Sequence, residues 1–170
     1  MYMEQSGNRM RCLHLDGLGH GVMAQQATDG LAGLLFLEPD VTHVLKQIDR
    51  QLKTTRGAVA MLTELDLETM QGQILGVGDM SAYAHIDDQL QTMSFAPGIL
   101  GKEHKTPCTL TITLKKPSTV ITASDGLRRG WHLHSFPGLL NQHPQLVAYV
   151  LGNIMGRASD DQSVCVVRVE

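Results

Sequence analysis

Three short segments place aspartates where they could act together: L-D-G-L-G-H-G at residues 15–21, A-S-D-G-L at 123–127 and S-D-D-Q-S-V at 159–164. The first two follow apolar runs of strand character, and the third precedes one. Carboxylates are therefore expected at strand ends, from which separate strands can aim them at a single point. Acidic groups that meet in a partly buried site repel one another unless positive charge lies between them. Hard divalent cations such as Mg²⁺ or Mn²⁺ suit that role, because they prefer oxygen ligands. A pair of such ions would more than neutralise three carboxylates and would leave a surplus suited to a phosphate dianion.

Each segment also has a plainer reading. Asp16 could cap local N–H groups at a strand-to-helix connection, and single aspartates are ordinary turn residues. Gly17, Gly19 and Gly21 allow tight turns and let a backbone carbonyl face an ion. They could also cradle a nucleotide phosphate, but G-x-G-x-G departs from the G-x-G-x-x-G order and no P-loop lysine follows. His20 titrates near neutrality and is a general-acid candidate; it serves equally as a residue at a helix start. Arg56 could meet a phosphate or pair with a carboxylate. His132 and His134 flank Leu133 beside Trp131, a spacing that could bind zinc but lacks partner ligands nearby.

The elements that must position these residues can be read from periodicity. Strands are expected over 1–5, 10–15, 57–65, 71–77, 81–85, 91–95, 108–114, 119–123 and 163–169. The last is almost wholly apolar and reads as a central strand buried on both faces. The Thr-rich runs on either side of the Lys-Pro turn at 115–118 read as a hairpin. A helix is expected to begin near His20, with Met23, Ala27, Leu31, Leu34 and Leu35 on one face. A second should follow Asp40, which can cap it, with Val41, Val44, Leu45, Ile48 and Leu52 in a stripe. A third is expected over 144–155, with Pro144 in its first turn and Val147, Val150, Leu151 and Ile154 on one side. The count gives an α+β fold: two packed antiparallel sheets flanked by helices, in one domain over residues 1–170.

Totals narrow the function classes. The chain has 170 residues, 42% of them hydrophobic and 4% aromatic, so its core must be aliphatic. Its nine methionines serve most simply as core filler. Net charge is −3, and Lys and Arg are scattered, which leaves no basic field for nucleic acid. Cys12, Cys108 and Cys165 form no C-x-x-C pair; each falls in an expected strand and reads as a buried free thiol. No apolar run reaches the roughly 18 residues that a membrane span needs. With a polar start and no signal-peptide pattern, a soluble cytoplasmic protein is expected.

Taken in order, D-G-L-G-H-G (16–21), T-R-G-A (55–58), G-V-G-D (76–79), S-D-G-L (124–127) and D-D-Q-S-V (160–164) resemble the SpoIIE-type serine/threonine phosphatases of the protein phosphatase 2C superfamily, and within them the RsbX-like group. The resemblance covers nearly the whole chain. It implies an αββα sandwich and metal-dependent hydrolysis of phosphoserine or phosphothreonine with two Mn²⁺ or Mg²⁺ ions. It further implies that Asp16 bridges the ions, that Gly17 offers its carbonyl to one, and that Asp125 and Asp160 hold the other. Asp161 is left to orient its loop and Asp79 to a structural role. The substrate implied is a phosphorylated regulatory protein, such as a STAS-domain antagonist or stressosome component. The chain departs from the pattern in one place: no Gly-Asp precedes Asp16, where the family carries a further ligand on its first strand. That departure keeps a second reading in view, a non-catalytic module that docks a phosphoprotein or kinase.

Overall fold

The computed structural model describes residues 1–19, 24, 28–37, 39–128, 132, 135–157 and 161–170. These residues form nine strands and two α-helices, in two compact units. The first unit comprises residues 1–80 and 95–113, and the second 81–94 and 114–170.

The first unit holds a five-stranded antiparallel sheet. Its strands are β1 (Tyr2–Ser6), β2 (Arg9–Gly17), β3 (Ala58–Asp66), β4 (Gln71–Val77) and β7 (Leu110–Thr113), in the order β1-β2-β3-β4-β7. Leu13 lies opposite Leu62, and Leu62 opposite Leu75; Leu15, Ala60 and Val77 form the next row. Helix α1 (Val41–Leu52) covers this face. Its stripe of Val41, Val44, Leu45, Ile48 and Leu52 is buried throughout, as its spacing predicts. Burying such a side chain is worth about 1.5–3 kcal/mol, against intrinsic helix preferences of at most ~0.7 kcal/mol per ordinary residue. The stripe therefore decides where the helix lies, and Asp40 decides where it starts. The Asp40 carboxylate accepts from the backbone N–H groups of Thr42 and His43, each at 2.9 Å.

The second unit holds a four-stranded antiparallel sheet. It is built from β5 (Ser81–Ile86), β6 (Gln89–Met93), β8 (Ser118–Ala123) and β9 (Val164–Val169), in the order β6-β5-β8-β9. Tyr83, Ile121 and Val166 form a cross-strand row that joins a cluster with Leu139, Leu140, Val147 and Leu151. Helix α2 (Pro144–Met155) supplies the last two and packs against β9.

Four expectations are corrected. The runs on either side of the Lys-Pro turn do not form a hairpin: β7 pairs with β4, and β8 pairs with β5 and β9. Both edges of β8 are thus taken, leaving none for β7. The apolar β9 is an edge strand, half-buried over most of its length. The strand buried at all six positions is β8, with the sequence S-T-V-I-T-A. Its hydroxyl residues disguise its depth, and β9 is apolar because one face lies under α2. Cys108 is exposed and precedes β7, while Cys12 and Cys165 are buried. Ile154 is 56% exposed at the end of α2.

The helix expected from His20 falls largely outside the described residues. Its far end, Leu31–Leu34, is a 3-10 turn whose Leu31 and Leu34 are buried.

Candidate functional site

In the first unit, β2 ends on Asp16 and Gly17, opposite Val59 and Ala58 of β3. Asp16 is half-buried. A Cβ at Gly17 would stand 2.6 Å from the carbonyl oxygen of Ala24, so the chain passes too close for any side chain there. The neighbouring T-R-G-A motif is a constructed turn. The Thr55 hydroxyl donates to the Leu52 carbonyl at the end of α1 and accepts from the Gly57 N–H. Gly57 sits at φ +88°, and a Cβ there would lie 2.6 Å from the Leu100 carbonyl oxygen. Only glycine combines that backbone with that clearance. The two turns are joined, because the Leu18 N–H donates to the Gly57 carbonyl at 3.1 Å. Arg56 is exposed at the tip of its turn, with Nη1 placed over Gly19.

His14 precedes Asp16 by two residues and is fully buried. Burial, assisted by the positive amino terminus, pushes its pKa down to about 4. The imidazole is therefore neutral at ordinary pH and adds no charge near the strand end.

In the first unit as well, the G-V-G-D motif owes its glycines to packing. A Cβ at Gly76 would stand 2.8 Å from the Ala60 carbonyl oxygen, and one at Gly78 would collide with the Val59 side chain. Asp79 is exposed.

In the second unit, Asp125 follows β8 in a turn closed by the Leu127 N–H donating to the Ser124 carbonyl. Ser124 is 2% exposed and grips the segment before β9. Its N–H donates to the Ser163 carbonyl at 3.1 Å, and its hydroxyl accepts from the Ser163 N–H at 3.0 Å. A Cβ on Gly126 would collide with the Asp161 carbonyl oxygen. The Arg157 N–H donates to the Gly126 carbonyl at 2.8 Å. The structure thus brings the S-D-G-L turn and the Asp161–Ser163 stretch together, although some 35 residues separate them in sequence.

Of the residues expected to act, Asp16 and Gly17 belong to the first unit and Asp125 to the second. His20 and Asp160 lie outside the described residues, as do Trp131 and His134; His132 is exposed. Among the described residues, no three or more His, Cys, Asp and Glu side chains gather into a metal site. The donors that are described suit a hard cation in kind: they are carboxylates at strand ends, each beside a glycine. Sequence reading missed the Ser124–Ser163 clasp and the seat of Arg56 over Gly19. The only sequence signal for the first was a serine in each of two motifs, and for the second a glycine already assigned to a tight turn.

No protein-family model matches the chain. The fold is shared with solved PP2C phosphatase domains. A crystal structure of RsbX in complex with magnesium superposes with a TM-score of 0.82 at 22% identity, over 99% of this chain and 85% of that one. The phosphatase domain of SpoIIE from Bacillus subtilis, solved with a fragment of its regulatory domain, gives 0.76 at 20% identity, over 98% of this chain and 57% of that one. The chain is also similar to RsbX in sequence. The phosphoserine phosphatase RsbX of Bacillus subtilis (strain 168) is 25% identical over 130 residues, 74% of this chain. The match spans 65% of that relative's length.

Proposed function

We propose that this chain is a metal-dependent protein serine/threonine phosphatase that hydrolyses phosphoserine or phosphothreonine on a bacterial regulatory protein. The observation that carries the reading is the ordered series of five motifs, on a chain with 25% identity to a phosphoserine phosphatase. Its two Asp-Gly turns are each held by contacts that only glycine permits. In this reading Asp16 and the Gly17 carbonyl, with Asp125 and Asp160, hold Mn²⁺ or Mg²⁺. When bound, such ions would supply water activation and positive charge against the phosphoryl oxygens.

The chain's own residues do the rest. The Ser124–Ser163 clasp fixes the backbone that carries Asp125. The packed glycines hold the Asp16 turn in one conformation. His20 is assigned the proton that the leaving serine or threonine oxygen must gain. The substrate class is a phosphorylated STAS-type antagonist or stressosome component, supported by the resemblance to the RsbX-like group. We place the protein in the cytoplasm; no described helix is long and apolar enough to cross a membrane.

The test is phosphate release from p-nitrophenyl phosphate and from a phosphoserine-bearing STAS protein, with added Mn²⁺ and with a chelator. Turnover should require the ion and should fall at least about a hundredfold in Asp16→Ala and Asp125→Ala. Tight binding of the phosphoprotein without turnover would overturn the reading in favour of a docking module.

A further inference from the structure

Arg56 stands on a turn tied to its neighbours by several hydrogen bonds. Its turn is fixed on both sides: by the Thr55 hydroxyl, and by paired hydrogen bonds between Ala58 and Leu100 of 3.2 and 2.9 Å. The Leu18 N–H ties the same turn to the loop that carries Asp16. Gly19 in that loop sits at φ +92°, and a Cβ on it would stand 2.8 Å from Arg56 Nη1. That backbone conformation itself favours glycine, and the missing side chain leaves the guanidinium room beside the loop. Arg56 is exposed, and among the described residues it enters no ion pair. An arginine retained for stability would be matched to a carboxylate or to carbonyls, as Arg11 is in this same unit.

A guanidinium presents a planar fork of N–H donors that fits two oxygens of a phosphoryl group at once. The turn of Arg56 is hydrogen-bonded to the loop that carries Asp16. We propose that Arg56 grips the phosphoryl group of the substrate. The assignment rests on the phosphatase reading above. It makes Arg56 a substrate-binding residue, one that acts on affinity more than on the bond-breaking step.

The experiment uses the full chain with Mn²⁺ and three variants: Arg56→Ala, Arg56→Lys and Gly19→Ala. In Arg56→Ala, KM for the phosphoserine protein and the inhibition constant of inorganic phosphate should both rise about ten- to a hundredfold, as for loss of a charged hydrogen bond. kcat should change only a few fold. Arg56→Lys should recover part of the loss, since it keeps the charge without the fork. Gly19→Ala strains the loop that carries Asp16 and crowds the guanidinium, so KM should rise and kcat should fall with it. Unchanged KM and phosphate inhibition in Arg56→Ala, in a protein that turns over, overturns the assignment. Calorimetric titration with inorganic phosphate supplies a readout free of turnover. If the wild type proves inactive, the phosphatase reading fails by itself. Arg56 is then judged on phosphate affinity alone: weaker binding in Arg56→Ala sustains it, and equal or absent binding overturns it.

Discussion

At the scale of single residues, two buried ionisable groups of the first unit have opposite characters. Arg11 is 1% exposed yet fully matched. Its Nε donates to Glu64 at 2.5 Å and its Nη atoms to the Leu35 and Pro39 carbonyls at 2.6 and 2.8 Å, with the Phe36 ring 4.9 Å away. It pins the segment before α1 onto β2 and β3. Arg11→Ala would leave Glu64 and two carbonyls without their donor, and urea unfolding at pH 7 should show a loss of about 3–5 kcal/mol. A paired replacement of Arg11 and Glu64 by methionine should cost much less. His14 instead stays neutral. From its ordinary value of 6.5 down to about 4, the unfolded chain binds a proton that the native protein refuses. Stability should therefore fall as pH drops through that window, by about 3 kcal/mol at pH 4. Denaturant titrations at pH 7 and 4.5 should lose this component in His14→Gln; parallel pH profiles for variant and wild type would refute it. The sequence displayed the charged residues themselves but not their partners. The placing of Asp16 and Asp125 at strand ends was legible, because each follows an apolar run and precedes a glycine. Arg11 with Leu35, Ser124 with Ser163 and Arg56 with Gly19 were not, because only the folded chain makes them neighbours.

At the scale of elements, legibility followed the strength of the periodic signal. The stripe of α1 and the span of β4 were read correctly, because a buried face imposes its period on the sequence. Burial depth was misjudged where hydroxyls stand in for aliphatics, as in β8, whose Ser118, Thr119 and Thr122 are buried. Pairing was misjudged where a short link suggested a hairpin; the same few residues instead carry the chain from one sheet to the other. The cap of α1 gives a direct check. Asp40→Ala removes the acceptor for the Thr42 and His43 N–H groups and should lower stability by about 1 kcal/mol, while Asp40→Asn should be nearly neutral. Thermal unfolding of the two variants separates capping from charge. Ser124→Ala removes the acceptor of the Ser163 N–H and should cost about 1–3 kcal/mol. If the clasp also holds Asp125 in place, phosphate release should fall more than this loss of stability accounts for.

At the scale of the whole chain, each unit has its own sheet and its own apolar cluster. Interior strands should therefore open last within each sheet. Native-state amide exchange should be slowest in β3 and β8, and fastest in the edge strands β1 and β6, whose residues are mostly exposed. Equal protection of β1 and β3 would contradict this ordering. The route of the chain adds a constraint of another kind. It leaves the first unit after Met80, returns at Phe95 and departs again at Thr113. No single scission can therefore release both units whole: any cut up to residue 113 severs the first, and any cut beyond 80 severs the second. During synthesis the first sheet must wait for its last strand until the β5–β6 ribbon has already emerged. A two-fragment version of this protein would have to be reassembled by exchanging strands, not by docking finished halves.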